Sequence, residues 1–103
     1  MMEWKSNWLE QSDDVDALKE QLQSEGFDAY QWTGRPGGAY LDYIHTQDEV
    51  VCVLSGTADV KVADDDDTVK RGDRIDVPAN TYHSLTVTST EPLVVLTGMR
   101  KSQ

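Results

Sequence analysis

Two histidines and one glutamate are the residues of this chain whose types could do chemistry together. His45 and Glu49 lie four positions apart at the edge of an apolar run, and His83 opens a second apolar run. A buried imidazole or carboxylate is costly unless it is hydrogen-bonded, paired or coordinated. Two neutral imidazoles and one carboxylate satisfy a divalent cation and leave coordination positions open. We therefore predict three metal ligands; a hydrogen-bonded core histidine pair and a polar hairpin tip are the alternatives.

Short β-strands are the elements that would position these side chains. From Phe27 onward, short segments rich in β-branched and aromatic residues alternate with polar turns that contain glycine, proline or aspartate. Closely spaced strands of this kind predict an antiparallel sandwich or barrel. Because the hairpin turns are short, side chains from neighbouring strands should meet on one face of a sheet.

Strand alternation gives the predicted direction of each polar side chain. Side chains two positions apart in a strand share a face. This places Glu49 and His83 among the inward apolar residues of their strands, and it places Leu41 and Tyr43 on the same face as His45. The two histidines and the glutamate should therefore converge inside the fold.

One helix is predicted before the strands, in the segment "SDDVDALKEQLQSEGF". Its apolar residues follow helical spacing and form one narrow stripe: Val15, Leu18 and Leu22. The candidate N-terminal caps are Ser12, Asp13 and Asp14. Gly26 supplies a left-handed stop. So narrow a stripe predicts that the helix lies over one side of the sheet.

Composition excludes several partners. The chain has 103 residues, and its 9 basic and 19 acidic residues give a net charge of −10. An acidic surface repels phosphate, so we expect no nucleic acid and no membrane as partners. The N-terminus lacks the apolar core of a signal peptide, and one cysteine excludes an internal disulfide. These features predict a soluble cytoplasmic domain.

Other polar residues have simpler interpretations. The run Asp64–Asp67 predicts an exposed hairpin turn, because four neighbouring carboxylates repel one another. Arg74 and Asp76 should lie on the outer face as solvated charges. Cys52 is out of phase with Glu49, so we expect a buried, inert thiol that faces away from the site.

Two spaced motifs resemble those of the cupin family. The first motif has glycine, five residues, His-x-His, three or four residues, glutamate, six residues and glycine. Here it reads Gly37, Tyr43, His45, Glu49 and Gly56 at the same spacings. Tyrosine thus stands where the family has its first histidine.

The second motif has glycine, five residues, Pro-x-Gly, two residues, histidine, and then asparagine after three more. Here it reads Gly72, Pro78, Asn80, His83 and Val87. Asn80 replaces a glycine, but asparagine tolerates the left-handed conformation, so the turn should survive. Val87 replaces the asparagine.

The resemblance implies an all-β fold: a small antiparallel β-barrel of the cupin jelly-roll type with one N-terminal helix packed outside. An extension and helix would occupy residues 1–26, and the barrel would occupy residues 27–103. His45, Glu49 and His83 fall on three of the family's metal-ligand positions, and Tyr43 is a further candidate ligand. Tyrosine binds metal only after losing its proton, so a hydrogen bond from Tyr43 to bound water or substrate is the preferred interpretation.

The implied cofactor is one divalent transition metal: iron, manganese, nickel, copper or zinc. The main functional hypothesis is a metal-dependent dioxygenase or isomerase that acts on a small organic molecule. The alternatives are a non-catalytic module that binds or senses a ligand or metal, and a metal-free barrel scaffold. The catalytic residues are not identified by the motifs.

Aromatic residues and edge strands give two further expectations. Tyr40, Tyr43 and Tyr82, with Trp32, could line a pocket for a small-molecule ligand. A lone cupin domain gains from covering its sheet edges, so we predict a homodimer. Trp4 and Trp8 are the candidate contacts of that dimer.

Overall fold

The structure is a computed structural model that describes residues 3–5 and 15–100. The side chains of residues 3–5 and of Asp42 lie outside this description. Trp8, the Trp4 side chain and the predicted helix caps Ser12, Asp13 and Asp14 are therefore outside it as well. The predicted dimer contacts of the two tryptophans fall in this part of the chain.

One helix and nine strands make up the described residues. The helix, α1, spans Val15–Ser24. The strands are β1 (Glu3–Lys5), β2 (Phe27–Gly34), β3 (Ala39–Tyr43), β4 (Glu49–Ser55), β5 (Ala58–Val62), β6 (Asp65–Val69), β7 (Arg74–Val77), β8 (His83–Val87) and β9 (Leu93–Arg100). The predicted mainly β character is confirmed.

The strands form two antiparallel sheets. The five-stranded sheet has the order β1-β7-β4-β9-β2, and the four-stranded sheet has the order β3-β8-β5-β6. The closed barrel that we predicted is not found, because no strand pairing in residues 3–5 and 15–100 joins one sheet to the other. Packed side chains hold the two sheets together instead.

Branched aliphatic side chains fill the space between the sheets. Both sheets contribute to this inner core, whose buried members are Val53, Ala58, Val60, Val62, Val69, Ile75, Val77, Val87, Leu93 and Val95. Four partly buried residues pack against it: Trp32, Tyr40, Val51 and Leu85. Burial of this apolar set is the main force that holds the sheets face to face.

Helix α1 covers the outer face of the five-stranded sheet. Its buried residues Leu18 and Leu22 belong to a second core, together with Phe27, Val50, Cys52, Leu54 and Leu96. The helix is followed by Gly26, whose φ of 97° is the predicted left-handed stop. Strand β4 is thus buried on both faces, and Cys52 faces the helix and not the site, as predicted.

Two predictions about surface charges need correction. Asp65–Asp67 belong to strand β6, and the turn is confined to Ala63 and Asp64. The carboxylates are exposed, so a strand at a sheet edge tolerates them. Arg74 lies on the outer face but is 3% exposed, because its guanidinium binds both carboxylate oxygens of Glu25, at 3.0 and 2.7 Å.

Candidate metal centre

Glu49 is the first residue of β4, the central strand of the five-stranded sheet. Its neighbours across the sheet are Val77 in β7 and Met99 in β9. All three residues line one cavity between the sheets. The Glu49 side chain is 12% exposed, so its carboxylate is largely removed from water at the point where the strand enters the interior.

His83 opens β8 in the opposite sheet and faces Glu49 across the cavity. Its Nε2 lies 3.0 Å from Glu49 Oε1. Its Nδ1 lies 3.1 Å from the carbonyl oxygen of Thr81. A carbonyl accepts hydrogen bonds and cannot donate them, so Nδ1 carries the proton and the Nε2 lone pair of the neutral ring faces the site.

The electrostatics of His83 follow from these contacts. The contact with the Glu49 carboxylate raises the pKa of His83, burial opposes this rise, and the Thr81 carbonyl adds to it. A proton on Nε2 would lie close to Glu49 Oε1 but is not aligned for a hydrogen bond with it. A metal ion at this position would have to replace that proton.

His45 lies in the connection between β3 and β4, with its Nε2 3.6 Å from Glu49 Oε1. The loop before β8 holds this connection in place. The amide of Asn80 donates to the carbonyl of His45 at 2.7 Å, and the amide of Ala79 donates to Asp48 Oδ1 at 2.8 Å. Asn80 has a φ of 60°, the left-handed conformation that the sequence predicts.

The three candidate ligands converge at one point. One ligand atom from each of His45, Glu49 and His83 lies within 4.8 Å of the other two. The two imidazole centroids are 5.1 Å apart. Glu49 Oε1 is buried and has no hydrogen-bond donor aligned with it among the described residues. A buried carboxylate oxygen that faces two imidazole nitrogens needs a cation, so this donor set fits a divalent transition metal.

Thr97 is a site residue that sequence reasoning missed. Its Oγ1 lies 3.2 Å from Glu49 Oε2 and 2.9 Å from the carbonyl oxygen of Val50, so its hydroxyl is shared between two acceptors. Thr97 holds one carboxylate oxygen while the other faces the imidazoles. It stands in phase with Val95 and directly follows four apolar residues of β9, and this polar residue after an apolar run is the feature that could have identified it.

A β-bulge in β3 changes the predicted direction of its side chains. Three positions separate Tyr40 from Tyr43, but two separate their partners in β8, Leu85 and His83. The extra residue lets both tyrosines line the cavity. Leu41, which we predicted to face inward, is 61% exposed instead.

The predicted tyrosines thus separate into two groups. Tyr43 pairs with His83 across the strands, and their ring centroids are 6.3 Å apart. Tyr82, which we predicted to line the pocket, is 62% exposed and is not among the lining residues. It is adjacent to His83 in sequence, so when His83 faces inward Tyr82 faces away.

The cavity that the three candidate ligands help to line has a volume of about 340 Å³. Four aromatic side chains line it: Tyr30, Trp32, Tyr40 and Tyr43. The aliphatic lining consists of Val51, Val60, Ile75, Val77, Leu85, Val95 and Met99. The polar lining consists of His45, Glu49, His83, Ser84 and Thr97. A mostly apolar cavity with a few converging polar groups is typical of small-molecule sites.

Comparison with known families identifies the fold. The family model "Cupin domain" (Cupin_2) matches residues 31–99, which include all three candidate ligands. The chain belongs to the cupin family. A search of curated proteins gave no match.

Solved cupin structures are similar to this chain. The cupin domain of Cnp3 from Schizosaccharomyces pombe has a TM-score of 0.70 at 18% identity and covers 75% of this chain. The plu4264 protein of Photorhabdus luminescens has a TM-score of 0.68 at 23% identity and also covers 75%. This chain spans 57% and 64% of those two chains. At such identities the likeness shows the fold alone.

A third similar structure comes from a study of two lyases. A chain from the crystal structures of the DMSP lyases RdDddP and RnDddQII has a TM-score of 0.66 at 27% identity. The alignment covers 72% of this cupin and 38% of that chain.

Among the described residues, no helix is long and apolar enough to span a membrane.

Proposed function

We propose that this cupin binds one divalent transition metal through His45, Glu49 and His83, and that the adjoining cavity takes up a small organic molecule. The observation that carries the proposal is the buried Glu49 Oε1, which lies 3.0 and 3.6 Å from the two histidine Nε2 atoms and lacks an aligned donor. Two imidazoles and one carboxylate leave coordination positions open to a ligand.

Each residue of the site has a distinct role in this proposal. Thr81 fixes the His83 tautomer that presents a lone pair, and Thr97 orients the Glu49 carboxylate. Tyr43, at the cavity wall, would donate a hydrogen bond to the bound molecule and not serve as a fourth ligand. When bound, the metal supplies Lewis acidity or oxygen activation.

Catalysis by a metal-dependent dioxygenase or isomerase is the use of this site that we favour. The cavity supports it, because its apolar lining would exclude water from a bound substrate. A similar structure comes from DMSP lyases, which supports catalysis in general but neither of these two reactions in particular. A non-catalytic binding module would need the same metal and cavity, and it differs in leaving its ligand unchanged.

Elemental analysis of the purified protein tests the metal site. We expect about one equivalent of a transition metal, or its uptake after reloading, and its loss in His83→Ala and Glu49→Gln. The exposed Glu91 gives a matched control, so Glu91→Gln should keep the metal. If the wild type takes up no metal after reloading, the metal-free scaffold is the better description. If His83→Ala keeps the full equivalent, the set of three ligands is wrong.

Assembly and location stay predictions. We expect a homodimer, which the exposed side chains Leu41, Ile44 and Tyr82 support because a partner would remove them from water. Sedimentation at micromolar concentration should give the mass of two chains, and the mass of one chain would contradict the prediction. A cytoplasmic location is likewise expected from the sequence.

A further inference from the structure

We infer that the cavity takes a small organic monoanion, in which one anionic oxygen group such as a carboxylate is joined to a flat, unsaturated apolar body. The inference rests on the metal site proposed above and adds the chemical class of the ligand. Three properties of the cavity support it: its charge, the arrangement of its walls and its volume.

The charge of the site selects a single negative group. Glu49 carries one negative charge, and a divalent ion held by two neutral imidazoles brings the sum to one positive charge. Glu49 is the one carboxylate in the described lining, and that lining contains no lysine or arginine. One anionic oxygen group would therefore neutralise the site. A second carboxylate would enter an apolar cavity without a cation to pair with it, and an ammonium group would meet like charge.

The side chains that line the cavity indicate the shape of the apolar part of the ligand. Its four aromatic side chains come from β2 and β3, each of which lies at one edge of its sheet. Trp32 and Tyr40 make an edge-to-face contact across these strands, with centroids 4.9 Å apart and planes at 79°. The remaining apolar lining comes from the strands further inside. A flat ring would meet aromatic rings on one side and branched aliphatic side chains on the other.

The volume limits the size of the ligand. A cavity of about 340 Å³ lies at the small end of the range of small-molecule sites, which is roughly 300–1,000 Å³. A ligand of about ten non-hydrogen atoms fits this space. Benzoate has the charge, the flat body and about the size that the cavity calls for.

Calorimetric titration of the Co²⁺-loaded protein tests the inference with four probes. We expect benzoate to bind, and terephthalate and benzylammonium to bind at least about tenfold more weakly because of their charge. Cyclohexanecarboxylate keeps the charge and the size but lacks the flat ring. It should bind about twofold to tenfold more weakly than benzoate. Removal of Co²⁺ should weaken benzoate binding by about tenfold or more.

Variants locate the binding. Trp32→Leu removes one aromatic wall and should weaken benzoate binding about tenfold while metal content is unchanged. Tyr82→Leu, at an exposed aromatic residue outside the cavity, is the matched control and should bind benzoate normally. The comparison of the four probes on the wild type needs no variant and stands even if Trp32→Leu does not fold.

Elemental analysis of the same samples separates the two ways of failing. A protein without metal overturns the proposed function, and this inference with it. If the metal is present but terephthalate or benzylammonium binds as well as benzoate, the monoanion is wrong and the metal site stands. If cyclohexanecarboxylate binds as tightly as benzoate, the inference of a flat body is wrong. If benzoate binds as tightly without Co²⁺ as with it, the metal has no role in binding the ligand.

Discussion

The two oxygens of the Glu49 carboxylate have different surroundings. Oε2 lies 3.2 Å from the Thr97 hydroxyl, whereas Oε1 faces the histidines and has no aligned donor among the described residues. The hydroxyl therefore fixes the orientation of the carboxylate before any cation arrives. Replacing a group that holds a metal ligand in this way commonly weakens metal affinity, although the group itself does not contact the metal.

Replacing Thr97 tests this positioning role. Thr97→Val keeps the shape of the side chain but removes the hydroxyl, so metal affinity should fall about tenfold to a hundredfold. Thr97→Ser restores the hydroxyl and should recover most of the loss. Competition with a chelator measures the affinity, and Thr33→Val, at an exposed threonine of β2, is the control. Equal affinities in Thr97→Val and the wild type would show that Oε2 needs no orientation.

Cys52 gives a pH-dependent stability that is independent of the site. Burial raises the pKa of the Cys52 thiol from 9.0 to about 12. The unfolded chain thus releases its thiol proton from pH 9 upward, while the folded chain keeps it until pH 12. The stability contribution is complete below pH 9 and is lost as pH rises towards 12, by about 1 kcal/mol at pH 10.

Denaturation at two pH values measures this contribution. Between pH 8 and pH 10, the free energy of unfolding of the wild type should fall by about 1 kcal/mol more than that of Cys52→Ala. Tyrosine and lysine titration affects both proteins, so it cancels in the comparison. The same loss in both proteins would mean that the thiol is open to water.

At the scale of elements, the site depends on two loops that hold each other. The β3–β4 connection carries His45, and the β7–β8 loop precedes His83. The amides of Ala79 and Asn80 in the second loop donate to Asp48 Oδ1 and to the His45 carbonyl in the first. Asn80 must adopt its left-handed conformation to present its amide in this way.

Substitution of Asn80 should separate backbone strain from side-chain chemistry. At a φ of 60°, alanine has a Cβ but lacks the polar side chain with which asparagine can hydrogen-bond locally. Asn80→Ala should therefore lower the free energy of unfolding by about 1–2 kcal/mol. Asn80→Gly removes that strain and should keep stability within about 0.5 kcal/mol of the wild type. Urea denaturation measures both. If Asn80→Gly lost as much as Asn80→Ala, the asparagine side chain and not the backbone would explain the position.

Strand alternation and motif spacing were enough to predict most of this architecture. The helix, the strands from Phe27 onward and the convergence of His45, Glu49 and His83 follow from patterns that burial imposes on the sequence, whereas strand β1 was not predicted. The bulge in β3 does not follow from these patterns, because the segment has the residue composition of a regular strand. The bulge shifts the register between Tyr40 and Tyr43 and turns Leu41 outward. The sequence pattern also did not predict that Asp65–Asp67 lie in strand β6. There the strand lies at a sheet edge, and Asp66 pairs with Lys61 across the hairpin.

At the scale of the whole molecule, the three candidate ligands come from both sheets and the connection between them. Glu49 lies in the five-stranded sheet, His83 lies in the four-stranded sheet, and His45 lies in the connection between them. The apolar inner core packs the two sheets together. A bound metal would therefore join the sheets at the end of the core where the histidines meet.

This arrangement predicts that the metal stabilises the entire fold. A ligand that binds only the native state at 100 times its Kd adds about 2.7 kcal/mol of stability. For a domain of this size, each kcal/mol corresponds to about 4–8 °C in Tm, so chelation should lower Tm by roughly 10–20 °C. Scanning calorimetry with and without a chelator measures the difference.

Two variants show whether the stabilisation comes from this site. His83→Ala removes the one ligand of the four-stranded sheet, so its Tm should not respond to metal or chelator. Glu91→Gln keeps the site and should respond like the wild type. The acidic residues of β6 offer a competing explanation, because exposed carboxylates attract cations without a built site. A metal-dependent Tm rise in His83→Ala equal to that of the wild type would favour that surface effect, since it does not need a metal that joins the two sheets.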